Sequence, residues 1–350
     1  MTLADLGGWP ATLATLTAGR DLSRDHAAAA MDEILQGAAT SAQIAGLCIA
    51  LRAKGETVEE ICGLLDSLLE QAERVPLAPG TDVVDTCGTG GDRSGTINVS
   101  TVAALVVAGA GAPVCKHGNR AATSACGSAD VLEALGVAIE LGPADVGACI
   151  EEAGIGFCFA PRFHSALRHA GPTRRELGVP TVFNFLGPLA NPARARRQVV
   201  GVSDPSMAPK LIGVLQANGS ERALVVYGND GLDELSTTTT SVVLELRDGR
   251  VSTYEVDPAD LGLAMAERAS LVGAGAESNA GAARRVLDGE PGPHRDIILL
   301  NAAAGLVVAG RADGLEEGLE VARDSIDSGA AGATLDRLVE ASRKRAGSAP

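Results

Sequence analysis

The stretch VPLAPGTDVVDTCGTGGDRSGTINVST, residues 75 to 101, separates two kinds of sequence. Its first eight residues hold two prolines and a glycine, which interrupt any helical periodicity. A short apolar run then leads into a glycine loop and on to Asn98, Ser100 and Thr101, ahead of an apolar stretch of helical length. Strand, glycine loop and helix start, in that order, is the unit from which parallel α/β sheets are assembled. The stretch therefore marks a boundary between a small all-helical N-terminal domain over 1–75 and a larger α/β domain over 76–350 with a mainly parallel central sheet.

Upstream of the boundary, Thr40 with Gln43 and Thr57 with Glu60 have the spacing of reciprocal helix caps. Behind them Ile44, Leu47, Cys48 and Leu51, then Ile61, Leu64, Leu65 and Leu68, recur with the period of one buried helix face. Downstream, Val83–Val84, Ala112–Cys115, Ile155–Phe159 and Ala223–Tyr227 read as short strands between alanine-rich helices. Asp248-Gly249 centres an antiparallel hairpin in VVLELRDGRVSTYEV. Residues 296–309 and 315–345 return to helix, helices from about 165–185 join the N-terminal unit, and the Ala/Gly-rich stretch 273–283 reads as a mobile loop with no nameable chemistry.

Composition narrows the function. The chain of 350 residues is 46% hydrophobic but only 2% aromatic, with 43 glycines, which suits aliphatic helices packed on a parallel sheet. A formal charge of −15 disfavours binding to nucleic acid or an anionic membrane, while a local cationic pocket remains compatible with it. Seven cysteines without a C-x-x-C pair suit a reducing cytoplasm rather than a disulfide or zinc framework. No run reaches the length of a membrane span, and no secretory leader is recognisable.

Four segments carry candidate chemistry. In the glycine loop, Gly88, Gly90 and Gly91 let a ligand approach backbone N–H groups, and the helix start at Ser100 and Thr101 adds donors where the helix dipole is positive. Alone, that pattern is equally a tight strand-to-helix turn. Neither G-x-G-x-x-G nor a P-loop is present. CKHGNRAATSACGSAD, residues 115–130, gathers Lys116, His117 and Arg120 in a chain with only four lysines, beside Asn119, Thr123, Ser124 and Ser128. Such a loop suits a pyrophosphate through charge-assisted hydrogen bonds, its bland alternative being a solvated basic loop. In residues 160–193, Arg174 can pair with a substrate carboxylate, whereas His164 and His169 read more readily as packing groups. In GNDGLDELSTTTT, residues 228–240, Asp233 and Glu234 point to different sides of an extended chain and offer hard oxygen ligands to Mg²⁺; by itself an acidic pair is more often solvated.

Taken together, GTGGD at 88–92, NVST at 98–101, KHGNR at 116–120, FNFLGPLANP at 183–192 and LDELST at 232–237 resemble the anthranilate phosphoribosyltransferase family in order and spacing. The resemblance covers nearly the whole chain and implies a fold shared with pyrimidine nucleoside phosphorylases, with a homodimer formed through the helical domains. It implies transfer of the phosphoribosyl group from phosphoribosyl pyrophosphate to the amine of anthranilate, in tryptophan biosynthesis, with two magnesium ions per monomer. On this resemblance Gly88, Gly91, Asp92, Thr96, Asn98, Val99, Ser100, Thr101, Lys116, His117, Gly118, Asn119, Arg120, Ala121, Ala122, Thr123, Ser124 and Ser128 hold phosphoribosyl pyrophosphate. Gly88, Asn119 and Arg174 contact anthranilate, and Ser100, Asp233 and Glu234 serve the metal. His117 is the one candidate for a general base. Arg93, Cys126 and Pro180 depart from the family pattern. A pyrimidine nucleoside phosphorylase and a non-enzymatic nucleic-acid-binding paralogue are the alternatives, against which stand the KHGNR loop, both carboxylates and the negative charge.

Overall fold

The structure, a computed structural model, describes residues 1–121 and 125–347. Four helices precede any strand: α1 (Gly8–Thr17), α2 (Arg24–Leu35), α3 (Ser41–Lys54) and α4 (Val58–Glu70). Thr40 and Thr57 cap α3 and α4 as their spacing predicts. Each hydroxyl accepts a backbone N–H three residues on, and the Gln43 or Glu60 side chain accepts the threonine N–H in return. Each cap contributes about 1 kcal/mol. The apolar residues of both helices form one buried face, with Leu47 and Ile61 wholly excluded from solvent.

The chain then forms β1 (Val84–Gly88), α5 (Val99–Gly109), β2 (Val114–Gly118), α6 (Ser128–Ala134), α7 (Pro143–Ala153) and β3 (Ile155–Phe159). Three short helices follow, α8 (Ala160–Phe163), α9 (Gly171–Leu177) and α10 (Phe183–Leu189), before β4 (Arg197–Gly201), α11 (Ala208–Ala217) and β5 (Arg222–Gly228). A hairpin of β6 (Ser241–Arg247) and β7 (Arg250–Val256) precedes α12 (Ala276–Leu287), α13 (Pro293–Ala309), α14 (Leu315–Asp327) and α15 (Ala330–Ala346). The seven strands lie in the order β3-β2-β1-β4-β5-β6-β7. Pairing is parallel from β3 to β5 and antiparallel across β6 and β7. Asp248 (φ 52°) and Gly249 (φ 71°) both sit in the left-handed region, as a two-residue hairpin turn between twisted strands demands.

Side chains alternate between two apolar cores. Val199, Leu224 and Val226 face a core built with α5, α13, α14 and α15. Val200, Ala223 and Val225 face the other, which they share with α2, α3, α4 and α11. Ala170, Val182, Phe183 and Phe185 belong to that second core, so α9 and α10 pack with the N-terminal helices. Among the described residues no helix is long and apolar enough to cross a membrane.

One strand escaped the sequence reading, and one expectation needs correction. Strand β4 has no clear apolar signature, because its five residues open with Arg197 and Gln198; pairing on both edges holds it. The stretch 273–283 is not a loop throughout, since α12 begins at Ala276 and buries Ala280, Ala282 and Ala283. Alanine lets that face lie close to its neighbours, and the lack of larger apolar residues hid the periodicity.

Candidate active site

From β1 the chain builds outward through β2 and β3, then returns to place β4 on the other side of β1. In such sheets the usual ligand position is beyond the carboxyl ends of the strands where the order reverses, here the ends of β1 and β4. The two ends are Gly88 and Gly201, which are register partners. Asp233 fills the space beside them: a Cβ on Gly88 would lie 2.3 Å from Asp233 Oδ2, and one on Gly201 would lie 1.7 Å from the Asp233 carbonyl oxygen. Glycine at both strand ends therefore lets the acidic loop reach the glycine loop.

The two adjacent carboxylates serve different segments. Gly90 N–H donates to Asp233 Oδ2 at 2.7 Å, and Ser100 N–H, in the first turn of α5, donates to Glu234 Oε1 at 3.2 Å. Behind them the buried Asn301 of α13 accepts from Leu235 N–H and donates to Leu235 O, both at 2.9 Å, which fixes the loop. Burial, and then the charge of Asp92, push the Asp233 carboxyl well above its ordinary range. Burial, and then Asp233, do the same to Glu234. The charges of Asp233 and Glu234 are thus destabilised by burial and by neighbouring acids, a situation a divalent cation relieves. Among the described residues no three or more His, Cys, Asp or Glu side chains form a ready metal cage. Magnesium does not require one, because one or two carboxylates, water and substrate phosphates complete its shell. The donor set fits magnesium.

The other loop residues divide by what holds them. Val99 and Thr101 are buried, and their N–H groups donate to Ile97 O and Asn98 O. Thr96 bridges to Val272 and its hydroxyl lies 3.2 Å from that of Ser94. Gly91 has φ +84°. Arg93 sits at φ 55°, where a side chain costs about 1–2 kcal/mol relative to glycine. Pro180 lies exposed between α9 and α10, and Cys126 is buried.

Lys116 is buried, with Nζ donating to Thr86 O at 2.5 Å, and the Thr86 hydroxyl donates to Ser100 O at 3.0 Å. This chain ties the end of β2 to α5. Asp85, fully buried, accepts His117 N–H at 3.1 Å and Asn191 Nδ2–H at 2.7 Å. Burial pushes its carboxyl up to about 6 against the pull of the Lys116 charge. Gly118 ends β2; Asn119 N–H donates to the Ser128 hydroxyl at 3.1 Å, and Ala121 N–H donates to Asp130 at 3.0 Å. The Arg120 guanidinium turns onto Asp130 and Glu133, 5.7 Å from the Phe159 ring centroid. Ala122, Thr123 and Ser124 lie outside the described residues.

His117 is buried, and its Nδ1 donates to Gly187 O at 3.0 Å, which leaves Nε2 as an acceptor without a partner among the described residues. Burial, with the neighbouring His164 ring 5.1 Å away, drives its pKa down to about 3, far from the neutral range of an efficient general base. Burial also lowers His164 to about 4. Both folded values lie below the ordinary value near 6.5, so the stability from keeping these rings neutral is present above pH about 6.5 and is lost as pH falls toward 4. The histidine contribution to the thermal midpoint should therefore decline over that window, where the raised carboxyls of Asp85, Asp233 and Glu234 act in the opposite sense. The comparison with His164→Gln isolates it: the variant should lose less than wild type on acidification. An unchanged slope in the variant would remove His164 from the account.

Arg174 stands apart from this cluster. It lies on α9 with Cζ 5.3 Å from the Phe183 ring centroid, and no hydrogen bond or ion pair engages its guanidinium among the described residues. Burial lowers its pKa from the usual arginine value. A half-buried, unpaired guanidinium over an aromatic ring is prepared for a planar carboxylate. Sequence reasoning missed Asp85, Asn191 and Gly201. Only the acid within the apolar run VVDTC offered a signal.

The chain matches the family models described as "Glycosyl transferase family, helical bundle domain" over residues 10–72 and "Glycosyl transferase family, a/b domain" over residues 80–332. It is 56% identical over 338 residues to the anthranilate phosphoribosyltransferase of Rhodococcus opacus (strain B4), covering 95% of this chain and 92% of the relative. The crystal structure of the anthranilate phosphoribosyltransferase from Thermus thermophilus is similar with a TM-score of 0.90 at 42% identity, covering 95% of this chain and 99% of that one. The Saccharomyces cerevisiae enzyme in complex with PRPP and Mg gives a TM-score of 0.87 at 28% identity, covering 96% and 98%. Sequence and fold agree: the chain belongs to the anthranilate phosphoribosyltransferase family.

Proposed function

We propose that the site at the ends of β1 and β4 is where this chain transfers the phosphoribosyl group of phosphoribosyl pyrophosphate to the amine of anthranilate, a step of tryptophan biosynthesis. The observation that carries the reading is the pair of bonds from Gly90 N–H to Asp233 and from Ser100 N–H to Glu234, which join the acidic loop to the glycine loop and to the start of α5. The donor substrate lies along Gly88, Gly91, Asp92, Thr96, residues 98–101, residues 116–124 and Ser128. Asp233, Glu234 and Ser100 hold two magnesium ions, which supply charge neutralisation on the departing pyrophosphate.

Arg174 takes the anthranilate carboxylate, with Asn119 and Gly88 at the acceptor's other edge. The aromatic amine is neutral at pH 7 and sheds a proton readily after attack, so positioning near the ribose carbon outweighs base strength. His117 serves as a structural neutral ring rather than as the base. The helical unit over 1–75, with segments of 165–185, forms the homodimer contact, residues 76–350 carry the catalysis, and the enzyme works in the cytoplasm.

The test follows the loss of anthranilate fluorescence in a mixture of protein, phosphoribosyl pyrophosphate and Mg²⁺. Wild type should consume anthranilate, and Arg174→Ala should raise the KM for anthranilate by about tenfold or more, as expected for losing a charge-assisted pair. No loss of fluorescence with folded wild type overturns the reaction. An unchanged KM in the variant overturns only the carboxylate role.

A further inference from the structure

Asn279, on the first turn of α12, is 3% exposed, and its amide is oriented by a backbone group. Its Oδ1 accepts Ala274 N–H at 2.8 Å, so its Nδ2 is the donor to Asn98 Oδ1 at 3.0 Å. The Asn98 amide is thereby oriented as well, and its Nδ2 donates to Cys126 O at 3.0 Å. A backbone donor at one end and a backbone acceptor at the other leave this two-amide relay a single polarity.

The relay joins three segments. Asn98 precedes α5, whose first turn meets Glu234. Cys126 and Gly127 close the loop that begins at KHGNR and lead into α6. The backbone beside Asn279 pairs with the glycine loop: Gly273 N–H donates to Gly95 O at 2.7 Å and Ile97 N–H to Leu271 O at 3.1 Å. A Cβ at Gly273 would lie 2.6 Å from Asn279 Oδ1, so the strap passes directly over the amide.

We propose that Asn279 is a positioning residue for the donor substrate, holding the glycine loop, the start of α5 and the cationic loop in one register so that all three meet the pyrophosphate group. The proposal rests on the reading of the ends of β1 and β4 as the phosphoribosyl pyrophosphate site. Asn279 itself touches no reacting atom; it acts through Asn98 and the Cys126 carbonyl.

The test compares full-length wild type, Asn279→Ala, Asn279→Asp, Asn98→Ala and the Asn98→Ala/Asn279→Ala double variant. It reads steady-state kinetics for both substrates and calorimetric titration with magnesium pyrophosphate. Asn279→Asp is isosteric and still accepts Ala274 N–H, but it turns the Asn98 amide so that two oxygens face each other at Cys126. It carries the test should the alanine variant lose its fold. Both Asn279 variants should raise the KM for phosphoribosyl pyrophosphate and the Kd for magnesium pyrophosphate by about tenfold, the order of one buried hydrogen bond lost. The KM for anthranilate and kcat should stay near wild type. The double variant should bind no more weakly than the weaker single variant, because the two amides act as one unit.

Unchanged pyrophosphate binding in a folded Asn279→Asp protein overturns the proposal, as does additivity in the double variant or an equal rise in both KM values. If wild type binds magnesium pyrophosphate but consumes no anthranilate, the assigned reaction fails, while the binding comparison still decides the role of Asn279.

Discussion

Asp233→Ala and Glu234→Ala should each lower magnesium-dependent kcat/KM by about 10²- to 10³-fold, the scale of losing one preorganised electrostatic contact to a developing charge. Each side chain accepts a backbone N–H, Asp233 from the glycine loop and Glu234 from the start of α5, and also contributes to a cluster of mutually repelling acids. Removing one acid leaves its partner easier to ionise but subtracts a hard oxygen from the cation's shell. The loss should therefore be deepest at limiting Mg²⁺ and partly recovered by saturating metal. Steady-state rates across a magnesium titration read this directly, and wild-type rates in both variants at limiting metal would remove the pair from the site.

Gly201→Ala should damage stability and activity together, although the residue itself bears no reactive group. Its new Cβ would lie 1.7 Å from the Asp233 carbonyl oxygen and 2.7 Å from the carbonyl carbon, so backbone must yield rather than a flexible side chain. Overpacking of that kind costs about 1–3 kcal/mol. The acidic loop is the freer partner, because β4 is pinned by strands on both edges. Moving the carboxylates by about 1 Å costs on the order of 10²-fold in rate. Urea unfolding and kcat/KM measured on one preparation test both effects, and wild-type kinetics in the variant would show that the loop position does not matter.

What could be read in the sequence depended on the range of the interaction. Thr40 with Gln43 and Thr57 with Glu60 are satisfied within one turn, so spacing alone located two helix starts. Asp248-Gly249 fixed a turn for the same reason. Strand β4 was hidden, because what makes Arg197–Gly201 a strand is partners far away on β1 and β5. In the site, Asp233 and Glu234 were visible as an acidic pair, but their separate attachments to Gly90 and Ser100 were not. His117 was legible as a titratable ring in a cationic loop. Its burial against Gly187 and His164, which makes it a poor base, is a tertiary fact. Asp85 and Asn279 lay unnoticed for a similar reason, since the meaning of a buried polar side chain is its partner.

The sheet order also shapes how the chain emerges during synthesis. β1, β2 and β3 are all made before β4, so the partner of the other edge of β1 is absent until β4 is synthesised. An open parallel edge beside a glycine loop invites mispairing with other chains. The acidic loop then arrives, and Asn301 of α13, which fixes it, is translated later still. The site is consequently finished only when the C-terminal helices dock. A nascent chain stalled before α13 would lack both the helices that complete the core around α5 and the residue that fixes the loop of Asp233 and Glu234.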